Sequence, residues 1–181
     1  MTWEPDDAEQ TWRKRPLRPD RPEKSEIPTS ATGQLYEAMR RFFEEEDWKF
    51  VEIEGEAALK LGCTGENGEW TCYAQIKEEP GRFLFYSVLS VKVPEAKRST
   101  AAEFITRANY GMVLGNFEMD FADGEIRYKT SAYLEDIEPT KDFFHTLVYT
   151  NLLVMDKYLP GVMSVIYAGM SPEQAIGHVG G

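Results

Sequence analysis

From residue 30 onward the apolar positions recur with two distinct periods. Leu35, Ala38, Met39 and Phe42 fall at i, i+3, i+4 and i+7, which puts one apolar stripe on a helix over about residues 32–47. Glu44, Glu45, Glu46 and Asp47 follow the stripe. Four acids at a helix C-terminus oppose its dipole, so fraying or a prompt break at Asp47 is expected. There is room for a short strand at Lys49–Glu52, and then the period drops to two. Ala57–Thr64 and Glu69–Lys77 alternate apolar with polar and are joined by Gly65-Glu66-Asn67-Gly68.

Asn-Gly favours a two-residue type I′ turn, because that turn needs positive φ at both central positions. With Asn67 and Gly68 there, Cys63 faces Cys72 and Gly65 faces Trp70. Leu59, Leu61 and Cys63 then share a face with Trp70, Cys72, Ala74 and Ile76, while Lys60, Thr64, Thr71, Tyr73, Gln75 and Lys77 point the other way. Glu79-Pro80-Gly81-Arg82 suits a type II turn into a third strand, Phe83–Val91. Pro94 opens a helical stretch to about Asn109 with Ala101, Phe104, Ile105 and Ala108 as its stripe; Thr100 and Glu103 have capping-box spacing, and Gly111 is a terminator. A second hairpin, Gly115–Phe121 and Glu125–Tyr133, turns at Asp123-Gly124. A two-residue turn there pairs Glu118 with Lys129 and Asp120 with Arg127.

The last third reads as helix. Thr140 caps a run to about Leu159, Pro160-Gly161 interrupts it, Val162–Ala168 adds a turn or two, and Ser171-Pro172-Glu173-Gln174 starts another helix with cap, proline and capping-box glutamine. The order is α-β-β-β-α-β-β-α: an α+β single domain, an antiparallel sheet packed against helices. Residues 1–28 differ in kind. They hold five of the ten prolines, and their only large apolar residues are Trp3, Trp12, Leu17 and Ile27. Such a segment buries too little surface to offset its ordering entropy, so 1–28 is expected to be a disordered or extended arm before a domain at 29–181.

Charge narrows the function. With 31 acidic against 20 basic residues the net charge is −11, which disfavours nucleic acid as a partner. No apolar run approaches the ~18 residues of a membrane helix, and Met1–Gln10 is acidic where a secretory leader would be basic and apolar. A cytoplasmic protein is expected. The charge is uneven: residues 37–56 hold 8 acids and 3 bases, while the arm carries the basic run Arg13, Lys14, Arg15, Arg18 and Arg21. The arm is either a solvated tail or an anchor that docks on an acidic surface, on its own body or another copy.

Catalytic and metal-binding patterns are missing. His145 and His178 are far apart and lack neighbouring Cys or His, so zinc spacing is absent and no metal is expected. Gly111-Met112-Val113-Leu114-Gly115 leads into a strand and does not suit a phosphate cradle. Cys63 and Cys72 could bridge across the hairpin, but a reducing compartment and core-facing positions favour two buried thiols. Glu118 and Asp120 are the obvious pair for acid–base work, and the predicted ion pairs to Lys129 and Arg127 give each a structural role instead. No catalytic, cofactor-binding or metal residue is assigned.

Asn109-Tyr110-Gly111, Gly115-Asn116-Phe117-Glu118-Met119-Asp120 and Asp123-Gly124-Glu125-Ile126-Arg127-Tyr128 together resemble the core of the YbjN-type family, described as sensory transduction regulators of bacteria. Asn67-Gly68-Glu69-Trp70, Val93-Pro94, Tyr158-Leu159-Pro160-Gly161 and Pro172-Glu173-Gln174-Ala175-Ile176 fit the same order, over about residues 32–177. The resemblance implies a fold like that of type III secretion chaperones and a non-enzymatic, protein-binding, often homodimeric regulator without a cofactor. It implies no catalytic residues and is silent on the arm. The alternative is a small-ligand sensor with a pocket between the sheet and the final helices, lined by Phe143, Phe144, Tyr149, Met155 and Tyr158.

Overall fold

A computed structural model describes residues 13–15, 31–77, 81–134 and 138–179. The described strands form one antiparallel sheet: β1 (Arg13–Arg15), β2 (Phe50–Glu52), β3 (Ala58–Thr64), β4 (Glu69–Lys77), β5 (Arg82–Lys92), β6 (Asn116–Met119) and β7 (Glu125–Tyr133). Their order is β1-β3-β4-β5-β7-β6, and β2 also pairs with β3. The helices are α1 (Ala31–Glu45), α2 (Arg98–Asn109), α3 (Lys141–Tyr167) and α4 (Pro172–Val179). The chain is an α+β domain with the helices gathered over one sheet face, where Leu59, Leu61, Trp70, Phe83, Phe85, Ile126 and Tyr128 are buried beneath them.

Helix α1 stops where its acids predicted. Asp47 takes φ +57°, the Asp47 N–H donates to Glu44 O at 3.0 Å and the Trp48 N–H to Phe43 O at 2.8 Å. This is a Schellman stop, and its usual apolar contact is present: Trp48 meets Phe43 edge-on at 6.4 Å. The acids are not left against the helix end, since Glu46 accepts from Lys141 at 2.7 Å and from the Tyr149 hydroxyl at 3.1 Å, tying α1 to α3. Helix α2 buries the predicted stripe of Ala101, Phe104, Ile105 and Ala108. It starts at Arg98, after a 3-10 turn over Glu95–Lys97, and without a side-chain cap.

Both hairpins depart from the expected register by two residues. Cys63 faces Trp70 and Leu61 faces Cys72, so the cysteines are diagonal neighbours; both are free, buried thiols. The connection is a four-residue loop in which the Gly65 N–H donates to Gly68 O at 2.8 Å, and Asn67 does not take the positive φ a type I′ turn requires. In the second hairpin Glu118 faces Arg127 and Asn116 faces Lys129. Here Asp120–Gly124 forms a five-residue loop: Asp120 Oδ1 accepts from Ala122 N at 2.7 Å and Asp123 Oδ1 from Glu125 N at 2.9 Å. The loop's glycine is fixed from outside. Gly124 has φ +79°, its carbonyl accepts from Val93 N at 2.8 Å, and a Cβ there would lie 2.1 Å from Val93 O. A shift of two preserves which face each side chain takes, so the buried set survives while its cross-strand partners change.

Pro160 does not interrupt the last long helix; α3 runs unbroken for 27 residues. Thr140 caps it as expected, accepting from Phe143 N at 3.2 Å. Ser171 and Gln174 form the complete capping box of α4, at 3.2 and 3.3 Å. Residues 79 and 80 of the turn at 79–82 fall outside the described residues, as does all of 1–28 except 13–15. Those three residues are a strand on β3, antiparallel, with Lys14 facing Cys63.

Candidate protein-binding surface

The sheet face away from the helices is where side chains converge without being buried. Alternation places Tyr73, Leu84, Tyr86 and Val88 there, all half-buried, at the middle of β4 and β5. Tyr73 faces Tyr86, which faces Lys129; Val88 faces Arg127. The Arg127 guanidinium lies over the Tyr86 ring at 4.7 Å. Glu118 accepts from Arg127 Nε at 2.9 Å and from Lys129 Nζ. Burial raises the Glu118 pKa, and the hydrogen bonds from Lys129 and Arg127 more than reverse this, holding the carboxyl below its ordinary range. Asp120 contacts neither base in the expected pairing; it is exposed and shapes its own loop. Glu118 and Asp120 therefore serve separate structural tasks.

Both ends of the sheet carry a device. At the β6 edge, Asn109 at the end of α2 donates from Nδ2 to Phe117 O at 3.1 Å and accepts the Phe117 N–H on Oδ1 at 2.7 Å. One side-chain amide thus takes the place of a neighbouring strand. At the other edge, β2 covers Leu59–Leu61 of β3 and β1 covers Gly62–Thr64.

The first hairpin loop is held by α3. Asp156, 3% exposed, accepts from Glu66 N at 3.1 Å and Asn67 N at 2.9 Å, and its backbone carbonyl accepts from Asn67 Nδ2 at 3.2 Å. That carbonyl is the one Pro160, four residues on and without an N–H, cannot satisfy. Nothing in the sequence reading found Asp156; the signal available was an Asn-Gly loop and a proline four residues after an acid. Asn151 was also missed. It is fully buried on α3 and donates to Phe85 O at 3.0 Å and Tyr128 O at 3.2 Å, fixing the helix over β5 and β7.

The residues expected to line a ligand pocket are packed against their neighbours. Phe144 is packed among Phe42, Phe83 and Phe143, Tyr149 meets Trp48, Tyr158 meets Phe104 and Phe117, and Met155 is fully buried. Phe144 and Met155 belong to the core, and Phe143, Tyr149 and Tyr158 are partly buried against it. A groove of about 620 Å³ opens elsewhere, between α3, α4 and the 65–68 loop, lined among others by Asn67, Lys157, Pro160, Ser164 and His178. His145 is exposed and stacks on Tyr149 at 4.2 Å, and His178 Nδ1 lies 2.7 Å from Gln174 O. Among the described residues no three His, Cys, Asp or Glu side chains gather to hold a metal ion, and no helix is long and apolar enough to cross a membrane.

A profile of the YbjN family, described as "Putative bacterial sensory transduction regulator", matches residues 35–164. The chain belongs to the YbjN family. Among solved structures, that of YbjN from E. coli, titled a putative transcription regulator, is similar at 15% identity and a TM-score of 0.49, covering 72% of this chain and 87% of that one. No curated protein matches. The family match takes in the half-exposed face, the Asn109 seal and the Asp156 latch, and leaves out β1 and α4.

Proposed function

We propose that this YbjN-family chain is a non-enzymatic regulatory adaptor of the bacterial cytoplasm, a homodimer that binds a partner polypeptide in a chaperone-like way. The observation that carries this reading is the half-exposed sheet face with Tyr73, Leu84, Tyr86 and Val88 at its centre and Arg127 stacked on Tyr86. Tyrosine and arginine supply large contact areas at interfaces, and alternating apolar positions on a sheet suit a polypeptide laid across it. The surface carboxylate best placed for acid–base work, Glu118, is neutralised by two bases. Two buried free thiols suit a reducing compartment.

Light scattering and affinity capture test the reading. A particle of twice the 20.7 kDa chain mass that recovers a defined partner polypeptide is expected. A strict monomer recovering nothing would contradict it. The groove beside α4 supports a second reading, a small-ligand sensor. A thermal-shift screen of metabolites in which no compound raises Tm removes that one.

A further inference from the structure

We infer that the groove beside α4 takes a zwitterionic small molecule with an apolar body, an apolar α-amino acid in its free form. The inference rests on the small-ligand reading above and names the class of ligand. At about 620 Å³ the groove falls within the ~300–1,000 Å³ of ordinary ligand sites. Much of its lining is apolar: Leu153 and Pro160 of α3, Met170 between α3 and α4, and Ala175 and Val179 of α4. Gly161 sets the spacing of the two helices. A Cβ there would lie 2.6 Å from the Phe104 ring and 2.9 Å from Val179, so the close approach of α4 to α3 depends on glycine.

Two opposite charges line this groove without neutralising each other. Lys157 of α3 and Glu66 of the 65–68 loop are both exposed, and among the described residues neither side chain makes an ion pair or a hydrogen bond. Close by, charges that meet do pair: Glu173, at the head of α4, holds Arg107 at 2.9 Å. The third charge of the groove, Asp156, is already taken up by the Glu66 and Asn67 N–H groups. Two further polar groups have capacity left. Ser164 gives its hydroxyl proton to Pro160 O at 2.8 Å and presents lone pairs, and His178 Nδ1 lies 2.7 Å from Gln174 O, which leaves Nε2 as the free nitrogen of the ring. A molecule with both an ammonium and a carboxylate answers both signs. The carboxylate meets Lys157, the ammonium meets Glu66 and the Ser164 oxygen, and the side chain covers Leu153, Pro160 and Met170. A plain anion would leave Glu66 unmatched beside it and a plain cation would do the same to Lys157, and covering an unmatched charge is unfavourable.

Isothermal titration of the full-length protein tests this with L-leucine as the probe, beside 4-methylpentanoate, which lacks the ammonium, and L-leucinamide, which lacks the carboxylate. Leucine is expected to bind at one molecule per chain, and each analogue to bind about tenfold or more weakly, the loss of one charge-assisted hydrogen bond. Lys157→Gln and Glu66→Gln, both at exposed positions, should each weaken leucine by a similar factor at an unchanged melting temperature. Lys157→Gln should leave leucinamide binding as it was, and Lys157→Arg should retain leucine. No heat from leucine, phenylalanine or methionine at millimolar concentration overturns the inference. So does either analogue binding as tightly as leucine, or either glutamine variant binding leucine like the wild type. The metabolite screen separates the two ideas: a hit of another chemical class ends the amino-acid assignment alone, and no hit at all ends the sensor reading with it.

Discussion

Asp156 accepts the backbone N–H of Asn67 at 2.9 Å, and the Asn67 side chain donates back to the Asp156 carbonyl at 3.2 Å. The exchange solves two problems together. A buried carboxylate on α3 finds donors in a loop, and the carbonyl that Pro160 leaves unbonded finds one too. Asp156→Ala should lower unfolding free energy by about 2–3 kcal/mol in urea titrations, since hydrogen bonds to charged groups are the stronger class and two loop N–H groups lose their acceptor. A thermodynamic cycle checks the proline's part. Asn67→Ala should cost about 1 kcal/mol in the wild type and measurably less in a Pro160→Ala background, where residue 160 regains the N–H for that carbonyl.

Gly65 is the position where this latch excludes a side chain. A Cβ there would lie 2.2 Å from Asp156 Oδ1 and 2.5 Å from its Cγ. Gly65→Ala should destabilise by about 2 kcal/mol or more, by forcing the loop off α3. Gly177, in α4, has nothing within 4 Å of such a Cβ. Gly177→Ala should raise stability by about 0.5–1 kcal/mol, as alanine favours helix and restricts the unfolded chain. Thermal melts of the two variants should move in opposite directions.

These residues also mark how far the sequence could be read. Periodicity disclosed the element types, the α2 stripe and the buried face of both hairpins, because each depends only on which residues are apolar. Register was beyond it. Asn67-Gly68 and Asp123-Gly124 carry the composition of tight turns, yet Asp156 and Val93, remote in sequence, hold those loops in wider shapes. Pro160 reads as a break for the same reason: its local cost is visible in the chain, and Asn67, the remedy, is 93 residues away. The half-exposed sheet face was half visible. The outward parity of Tyr73 followed from alternation, whereas the Arg127–Tyr86 stack needed the observed register.

Glu118 gives a dependence on pH. Its folded pKa lies below the ordinary carboxylate value, so its pairing with Lys129 and Arg127 stabilises above the unfolded pKa and is lost as pH falls through the folded one. Glu118→Gln should cost about 0.5–1 kcal/mol at neutral pH, a modest figure because the pairs are partly solvent-screened. The wild type and the variant should converge in stability as pH drops below the carboxylate range. A constant gap down to acid pH would assign the cost to packing.

Asn109 keeps the β6 edge closed. Asn109→Ala leaves the Phe117 N–H without its acceptor and its carbonyl with only the Asn116 amide at 3.3 Å, and should cost about 1–2 kcal/mol. It should also bring concentration-dependent association, followed by light scattering on heating, because an unsealed edge templates strand pairing. Asn109→Asp is the informative companion: it keeps the acceptor for the Phe117 N–H and loses the donor to its carbonyl, so an intermediate effect is expected.

The proposed docking of a polypeptide on the open sheet face centres on Tyr86. Capture experiments run in parallel with wild-type protein and a Tyr86→Asp variant, whose folded state is checked by its melting transition, test it most directly. The wild type is predicted to retain a defined partner polypeptide and the folded variant to lose it. Equal recovery of that partner by both proteins would contradict the claim.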